Sequence, residues 1–513
     1  MEPALGLDLK GIEEPELVFG LVGPLGSPMT KVTKLLSDGL GLLGYIADEI
    51  RLSDFLGAYD SLPTLNPAAT APPFERWMAL MSRGNELRER LQRGDALAMH
   101  AAAAINQRRP GQGSRALERR AFVLRQLKHP DEVRLLRQVY GDAFHLVGVY
   151  TPERVRHEHL RNVDNVSSEQ VDRLLERDAG EELSLGQQVT KTFHLADLFI
   201  GVMGWDDASF ADAERQVSRY LNLLFGRGII TPSLDEYGMF LAASTALRSS
   251  DLSRQVGAAI LTQHGEVLAV GANEVPRAGG GQYWEGDTGD DRDCVRGYDS
   301  NEKIELECIR EVLERLDPEH WGHLISEKKA EEAQATAAKL EDTRLMNLTE
   351  FGRSVHAEME AILSAGRVGV TVKGHVLFTT TFPCHNCAKH IVGAGLTRVV
   401  YVEPYSKSLA DRLHGDAIAF SLDTDGSDST KIPFEPFRGV APRRFPTLFS
   451  TVEPDGVRRL RKVRGGNVNI TPAGLRSAVT PLTHVDREAM VAEYLDQVME
   501  GLSEGSPDQE EST

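Results

Sequence analysis

The residues Ser354-Val-His-Ala-Glu-Met-Glu-Ala-Ile362, read with Thr381-Phe-Pro-Cys-His-Asn-Cys-Ala-Lys389, place one histidine, one carboxylate and two cysteines at two helix starts. Ala357, Ala361, Ile362 and Ala365 carry helical apolar spacing over residues 356–366, and Pro383 suits the start of a second helix. Cys384 and Cys387 are three residues apart, so one helical turn brings both sulfurs to one side, and a helix N-terminus favours the thiolate that binds metal. With His356 they make three protein ligands for Zn2+ and leave a fourth tetrahedral position for water, the arrangement of a catalytic zinc. Glu358 lies two residues from His356, on another side of the turn, free to move protons. A structural zinc knuckle, or two unrelated helix starts, is the alternative that a lone C-x-x-C would leave open.

Taken together, H-x-E followed by P-C-x-x-C is similar to the signature of the zinc-dependent nucleobase deaminases. In that setting Glu358 is the catalytic acid–base, and His356, Cys384 and Cys387 are the metal ligands.

Composition narrows the class. The chain has 513 residues, enough for two or three domains, with 41% hydrophobic and 26% charged residues, as in ordinary globular proteins. No apolar run reaches the length of a membrane span and no signal peptide opens the chain, which predicts no membrane partner and a cytoplasmic location. A formal charge of −19 argues against a general nucleic-acid surface, because phosphate neutralisation supplies most of that affinity. Four cysteines, two of them placed as ligands, fit a reducing compartment better than a disulfide framework.

Outward from the zinc motif, the chain reads as two α/β halves. Leu17–Gly23 is a buried-strand pattern followed by Pro24-Leu-Gly-Ser-Pro28 and a helix from Met29 to Leu40. Further strands are expected at Tyr45–Leu52, Ala121–Leu127, Phe144–Tyr150 and Asp197–Val202. A long helical region is expected from Phe74 to Ile105, a helix over Asp131–Val139 and a closing helix from Asp207 to Phe225. Strands alternating with helices predict a parallel sheet. Strand, Gly-containing turn and helix is also the context of a phosphate-binding loop, with Gly23, Gly26 and Ser27 as its candidate nucleotide-binding residues, although no Gly-Lys pair follows. Lys128 and His129, after a strand, are either ligand groups of this half or an ordinary turn. Arg227–Ser233 punctuates the chain. Beyond it come a helix from Leu234 to Arg248, a hairpin of Val256–Thr262 and Glu266–Gly271, and an irregular helical insertion over 276–350. The expected division is 1–228, 229–475, and a helix with an acidic tail over 476–513. Residues 437–475 are basic, which keeps a polynucleotide substrate open.

The second half resembles the deoxycytidylate deaminase family from Phe240 to about Tyr405, apart from the insertion. The resemblance rests on Leu247-Arg-Ser-Ser-Asp-Leu-Ser-Arg-Gln-Val-Gly-Ala258, Gly271-Ala-Asn273, His356-Ala-Glu358, Phe382-Pro-Cys-His-Asn-Cys-Ala-Lys389 and Ala394-Gly-Leu396. The whole chain, a P-loop-kinase-like half fused to such a deaminase, resembles bacterial antiphage dCTP/dCMP deaminases. The resemblance implies a zinc enzyme that converts deoxycytidine nucleotides to deoxyuridine nucleotides, working as a homo-oligomer, with a regulatory ligand or inhibitor at the first half. It also implies a cytidine-deaminase-like α/β/α domain and substrate contact by Asn273. Arg248, Ser249 and Arg254 would either hold a 5′-phosphate or form a solvated face, and Tyr405 and Lys407 would close over the sugar-phosphate.

Two weaker patterns complete the reading. Cys294, Cys308, His320 and His323 either form a second metal site within the insertion or are unrelated to one another. The acidic run Glu285, Asp287, Asp290, Asp291 and Asp293 either binds Mg2+ carried by a triphosphate or is a solvated charge run.

Overall fold

The structure, a computed structural model, describes residues 14–59, 62–68, 70–109, 116–181, 185–340, 343, 351–404, 408–420, 430–452, 456, 458–463, 468–469, 475 and 481–504. It divides into two compact units, Met1–Glu236 with Arg438–Thr513, and Tyr237–Phe437.

In the first unit β1 (Leu17–Val22), β2 (Ile46–Arg51), β3 (Arg120–Arg125), β4 (Phe144–Tyr150) and β5 (Leu198–Gly201) form a parallel sheet in the order β2-β3-β1-β4-β5. The expected parallel sheet is present, with β1 central and the helix Met29–Gly41 after its turn. Every residue of β1 is buried, as a strand covered on both faces requires. β2 is the edge strand. Its central Asp48 and Glu49 pair with Arg120 and Arg125 of β3, which accounts for the acids in a strand pattern.

The helical region expected over 74–105 is broken in two, Pro73–Leu91 and Ala96–Gln107. Gln92 turns left-handed at φ 53°, and at Gly94 a Cβ would fall 2.3 Å from the His129 ring. Helical apolar spacing runs across the break, so periodicity alone hid it.

The expected boundaries at 228/229 and 475/476 differ from the observed ones. The chain leaves the first unit at Glu236, inside the helix Leu234–Ala246, and returns to it at Arg438. The strand Gly439–Val440 pairs antiparallel with β5 at the sheet edge. Arg444, 4% exposed, donates to His145 Nδ1 at 2.8 Å and reaches Asp142 at 3.2 Å. The helix Pro481–Glu504 is tied down by Arg109, which bridges Glu16 (2.6 Å) and Glu488, while His484 lies 3.1 Å from Glu16. The basic run over 437–475 therefore supplies internal partners: Arg443 faces the buried Asp197, and Arg459 bonds the Gly226 carbonyl.

In the second unit β6 (Gly257–Leu261) and β7 (Val267–Ala272) form the expected hairpin. The sheet runs β10-β11-β9-β8-β6-β7, with β8 (Val376–Thr381), β9 (Arg398–Glu403), β10 (Ile418–Phe420) and β11 (Ile432–Pro436) mutually parallel. Its core joins Ala258, Ile260, Leu377 and Val399 to Ala357, Ala361, Ala388 and Ile391 of the two motif helices. The insertion is helical, as expected, and Ile309, Trp321, Ala333 and Ala337 give it a small core of its own.

Candidate metal centre and its cavity

His356 is the N-cap of the helix Ala357–Arg367, and Cys384 is the N-cap of the helix His385–Gly393. Both residues are extended there, so their side chains leave the chain just before each first turn. Cys387 lies one turn into the second helix, and its amide donates to the Cys384 sulfur. The two helix starts thus bring one imidazole and two thiols together at their positive ends.

His356 Nδ1 stands 3.3 Å from Cys384 Sγ and 3.4 Å from Cys387 Sγ, and all three ligand atoms lie within 4.8 Å of one another. Zinc bonds of about 2.3 Å to sulfur and about 2.0 Å to nitrogen, at a tetrahedral angle, put those atoms roughly 3.5 Å apart. The donor set and its spacing therefore fit zinc. The bond from Cys387 and the adjacent His356 pull the Cys384 thiol well below its ordinary range, and His356 is held up in return by Cys384. The bond to Cys384, with burial, pushes Cys387 up.

Glu358 is 4% exposed, and burial pushes its carboxyl above the ordinary glutamate range. The Thr379 hydroxyl is 3.5 Å from its Oε1. A carboxyl held nearer neutrality in this way is suited to taking and returning a proton.

His356, Glu358 and Cys384 line a cavity of about 320 Å³, with Asp251, Arg254, Asn273, Asp293, Asp299, Asn301, Arg353 and Phe382 among its walls. Asn273 is placed there as expected, but its amide is engaged with the backbone. Oδ1 accepts from Val256 N at 2.7 Å and Nδ2 donates to the Arg254 carbonyl at 2.8 Å. Arg254, half-exposed on the rim, reaches Glu403 at 3.0 Å. Ser249 is buried behind the wall, where it donates to the Asn273 carbonyl at 2.7 Å.

Arg248 does not reach the cavity. Its guanidinium binds Gln282 and the Tyr283 carbonyl and stacks on Trp284, 3.8 Å from the ring centroid, so it holds the start of the insertion. A positive residue beside a motif looks like a phosphate ligand in sequence; here an amide, a carbonyl and an indole occupy it. Tyr405 and Lys407 lie outside the described residues.

The second metal site does not form. Cys294 is exposed and on a different helix from Cys308, His320 bonds Glu332, and the one group of three or more ligands among the described residues is His356, Cys384 and Cys387. The acidic run is likewise committed, and nothing there favours Mg2+. Asp290 and Glu285 pair with Arg292, Asp287 with Arg277, and Asp291 with Arg296 and Arg353. Arg353 also binds Asp293 at 3.0 Å, and through that pair the insertion forms part of the cavity wall. Sequence reasoning missed Asp299, Asn301 and Arg353, which have no motif spacing to the zinc ligands, and offered Asp293 only as part of the acidic run.

In the first unit, Gly23 and Gly26 have packing reasons to be glycine. A Cβ at Gly23 would lie 2.8 Å from the Val149 carbonyl, and Gly26 has φ +84° against Arg156 and Leu160. The turn's Leu25 amide donates to the carboxylate of Asp178 at 2.6 Å, and the Ser27 amide to the Pro24 carbonyl. Asp178 in turn accepts from Lys128 at 2.6 Å, while His129 caps the helix Pro130–Tyr140.

Residues 232–403 match the family described as the cytidine and deoxycytidylate deaminase zinc-binding region. A probable deoxycytidylate deaminase of Drosophila melanogaster is 28% identical over 168 residues, 33% of this chain and 58% of that protein. The deoxycytidylate deaminase of Enterobacteria phage T2 is 43% identical over 54 residues, 10% of this chain and 29% of that one. Among solved structures, a shikimate kinase from Bacteroides thetaiotaomicron is 12% identical and overlaps 40% of this chain and 98% of its own, with a TM-score of 0.24. The chain thus spans little more than half of the fly relative and under a third of the phage one. What it shares with the deaminase family is the stretch that contains His356, Glu358, Cys384 and Cys387.

Proposed function

We propose that the second unit is a zinc-dependent hydrolytic deaminase that converts a deoxycytidine nucleotide, dCMP or dCTP, to the deoxyuridine nucleotide. One observation carries this: an imidazole and two thiols grouped at tetrahedral spacing, with His356, Cys384 and the buried carboxyl of Glu358 on the wall of a nucleotide-sized cavity. Zinc, when bound by His356, Cys384 and Cys387, acidifies water and so supplies the nucleophile near neutral pH. Glu358 takes the proton lost by that water and gives it to the ring nitrogen, then takes the proton of the added hydroxyl and gives it to the departing ammonia. Water adds at C4 and ammonia leaves. Asn273 contributes its remaining amide hydrogen and lone pair to the sugar or base. Arg254, which lines the cavity, is the residue we assign to a 5′-phosphate in this reading.

In cells this reaction would drain the deoxycytidine nucleotides that phage replication needs, which is the role implied by the chain's resemblance to antiphage deaminases. Housekeeping dCMP deamination that feeds dTMP synthesis is the second reading, favoured by the names of the fly and phage T2 relatives. A polynucleotide substrate is disfavoured by the charge of −19 and by the internal pairing of Arg443, Arg444 and Arg459. Self-assembly, a cytoplasmic setting and a regulatory ligand at the first unit belong to the same proposal.

The test is a panel of dCMP, dCTP, deoxycytidine and a cytosine-containing single strand, with products identified by mass. Conversion of dCMP or dCTP without conversion of the strand is expected. Preferential conversion of the strand would overturn the nucleotide reading. Measuring the dCTP pool after phage infection, with and without active enzyme, separates the two cellular roles.

A further inference from the structure

A second cavity, of about 210 Å³, lies in the first unit where β1, β2 and β3 end. Its walls include Leu25 after β1, Arg51 at the end of β2, and Arg125, Gln126 and Lys128 at the end of β3. The helix Pro73–Leu91 adds Arg76, Trp77 and Arg88. Open α/β sheets bind ligands in this position, outside the carboxyl ends of the strands.

The charges in the cavity do not balance. Arg88 has Glu132 at 3.5 Å, Arg125 has Glu49 at 2.7 Å, and Lys128 has Asp178 at 2.6 Å. The side chains of Arg51 and Arg76 have no hydrogen-bond or ion-pair partner among the described residues, and the Nε atoms of Arg51, Arg88 and Arg125 are buried without an acceptor. The Oε1 of buried Gln187, another wall residue, is also without a donor. In a chain of net charge −19, a cavity with two guanidinium groups in excess concentrates anions. Guanidinium groups pair best with planar or tetrahedral oxyanions, to which they donate two bonds at once.

Gln126 supplies an independent sign. It sits in the cavity wall with φ 72°, a left-handed conformation that a residue with a Cβ adopts at a cost and that clusters at binding sites.

We propose that this cavity binds the phosphate of a small phosphomonoester, held by Arg51 and Arg76 with Arg125 and Lys128 behind them, and with Trp77 beside its organic part. The turn Gly23–Ser27 enters this cavity only through Leu25, whose amide is already engaged by Asp178. The proposal deepens the reading of a regulatory ligand at the first unit, and rests on that reading only for the effect of binding on deamination. The phosphorylated group could belong to a nucleotide or to a sugar phosphate.

Calorimetric titration of the full chain with adenosine 5′-monophosphate and ribose 5-phosphate, and with adenosine and ribose as uncharged counterparts, tests it. At least one phosphorylated probe should bind, with neither counterpart doing so. Arg51→Gln and Arg76→Ala should each weaken that binding about tenfold or more, while Arg254→Ala in the other unit leaves it unchanged. Arg76 is exposed on a helix surface, so its replacement keeps the fold, as circular dichroism would verify. Preference for the adenosine phosphate assigns a nucleotide, and preference for the ribose phosphate assigns a sugar phosphate. No binding by either phosphate, or binding that survives both arginine variants, overturns the site. Deaminase rates with and without the bound probe report separately on regulation: an unchanged rate removes the regulatory link and leaves the site standing.

Discussion

The backbone of Gly271 lies so close to the helix carrying the metal ligand that a Cβ there would stand 2.2 Å from the carbonyl oxygen of Ala357. It would also stand 2.4 Å from the Ala361 amide. Both obstacles are backbone and cannot rotate away, so Gly271→Ala must push the helix off β7. We expect a loss of stability of about 1–3 kcal/mol, together with a weaker hold on zinc because His356 and Glu358 ride on that helix. Metal content after dialysis, measured beside the unfolding midpoint, checks both; full metal retention at wild-type stability would contradict the packing argument.

Glu358 and the ligands are separable. Glu358→Ala should keep one zinc per chain and lower the deamination rate by about two to four orders of magnitude, the usual worth of a positioned acid–base. Cys384→Ala should lose both metal and activity. Atomic absorption on the same samples used for kinetics distinguishes the two outcomes.

Arg254→Ala should raise the KM for dCMP and dCTP by about tenfold, the worth of one charge-assisted hydrogen bond. It should leave the turnover of deoxycytidine, which has no phosphate, nearly unchanged. Equal losses on nucleoside and nucleotide would assign Arg254 to the fold instead.

Arg444→Met should cost the first unit about 1–3 kcal/mol, because it strips a hydrogen-bond donor from the buried His145. His145 Nδ1 accepts from Arg444 at 2.8 Å, and the Tyr220 hydroxyl lies 3.0 Å from the same nitrogen. Urea unfolding followed by far-ultraviolet circular dichroism reads the change.

Two histidines of this unit set a pH dependence of definite sign. Burial pushes His100 from its ordinary 6.5 down to about 4, and burial with the nearby Arg444 holds His145 well below its ordinary value. Between those values the unfolded chain binds more protons than the folded one, so stability is present above about pH 6.5 and falls as pH drops toward 4. Urea midpoints across that range should decline with acidification, and His100→Asn should flatten the decline.

Much of this was legible from local pattern. The five parallel strands of the first unit, the β6–β7 hairpin, both motif helix starts and the His356–Cys384–Cys387 group follow from runs of apolar residues and from spacing within one or two turns. What escaped depends on partners far away in sequence. Arg248 and Arg254 stand six residues apart in one motif; Gln282 and Trp284 claim the first, and the cavity rim receives the second. Asp293 and Arg353 become cavity walls only because the insertion folds back. The helix break at Gln92 and the return of the chain at Arg438 are set by contacts with His129 and β5 that carry no periodicity.

That return has a consequence for synthesis on the ribosome. The parallel strands emerge early, but Arg444, the strand Gly439–Val440 and the helix around Glu488 emerge only after the whole of residues 237–437. Arg109, His145 and Asp197 meet Glu16, Tyr220 and Arg137 early but must wait that long for Glu488, Arg444 and Arg443. Domains generally fold as they appear from the N-terminus. Here the unit that starts first finishes last, and a ribosome stalled anywhere in the deaminase-like stretch leaves it incomplete.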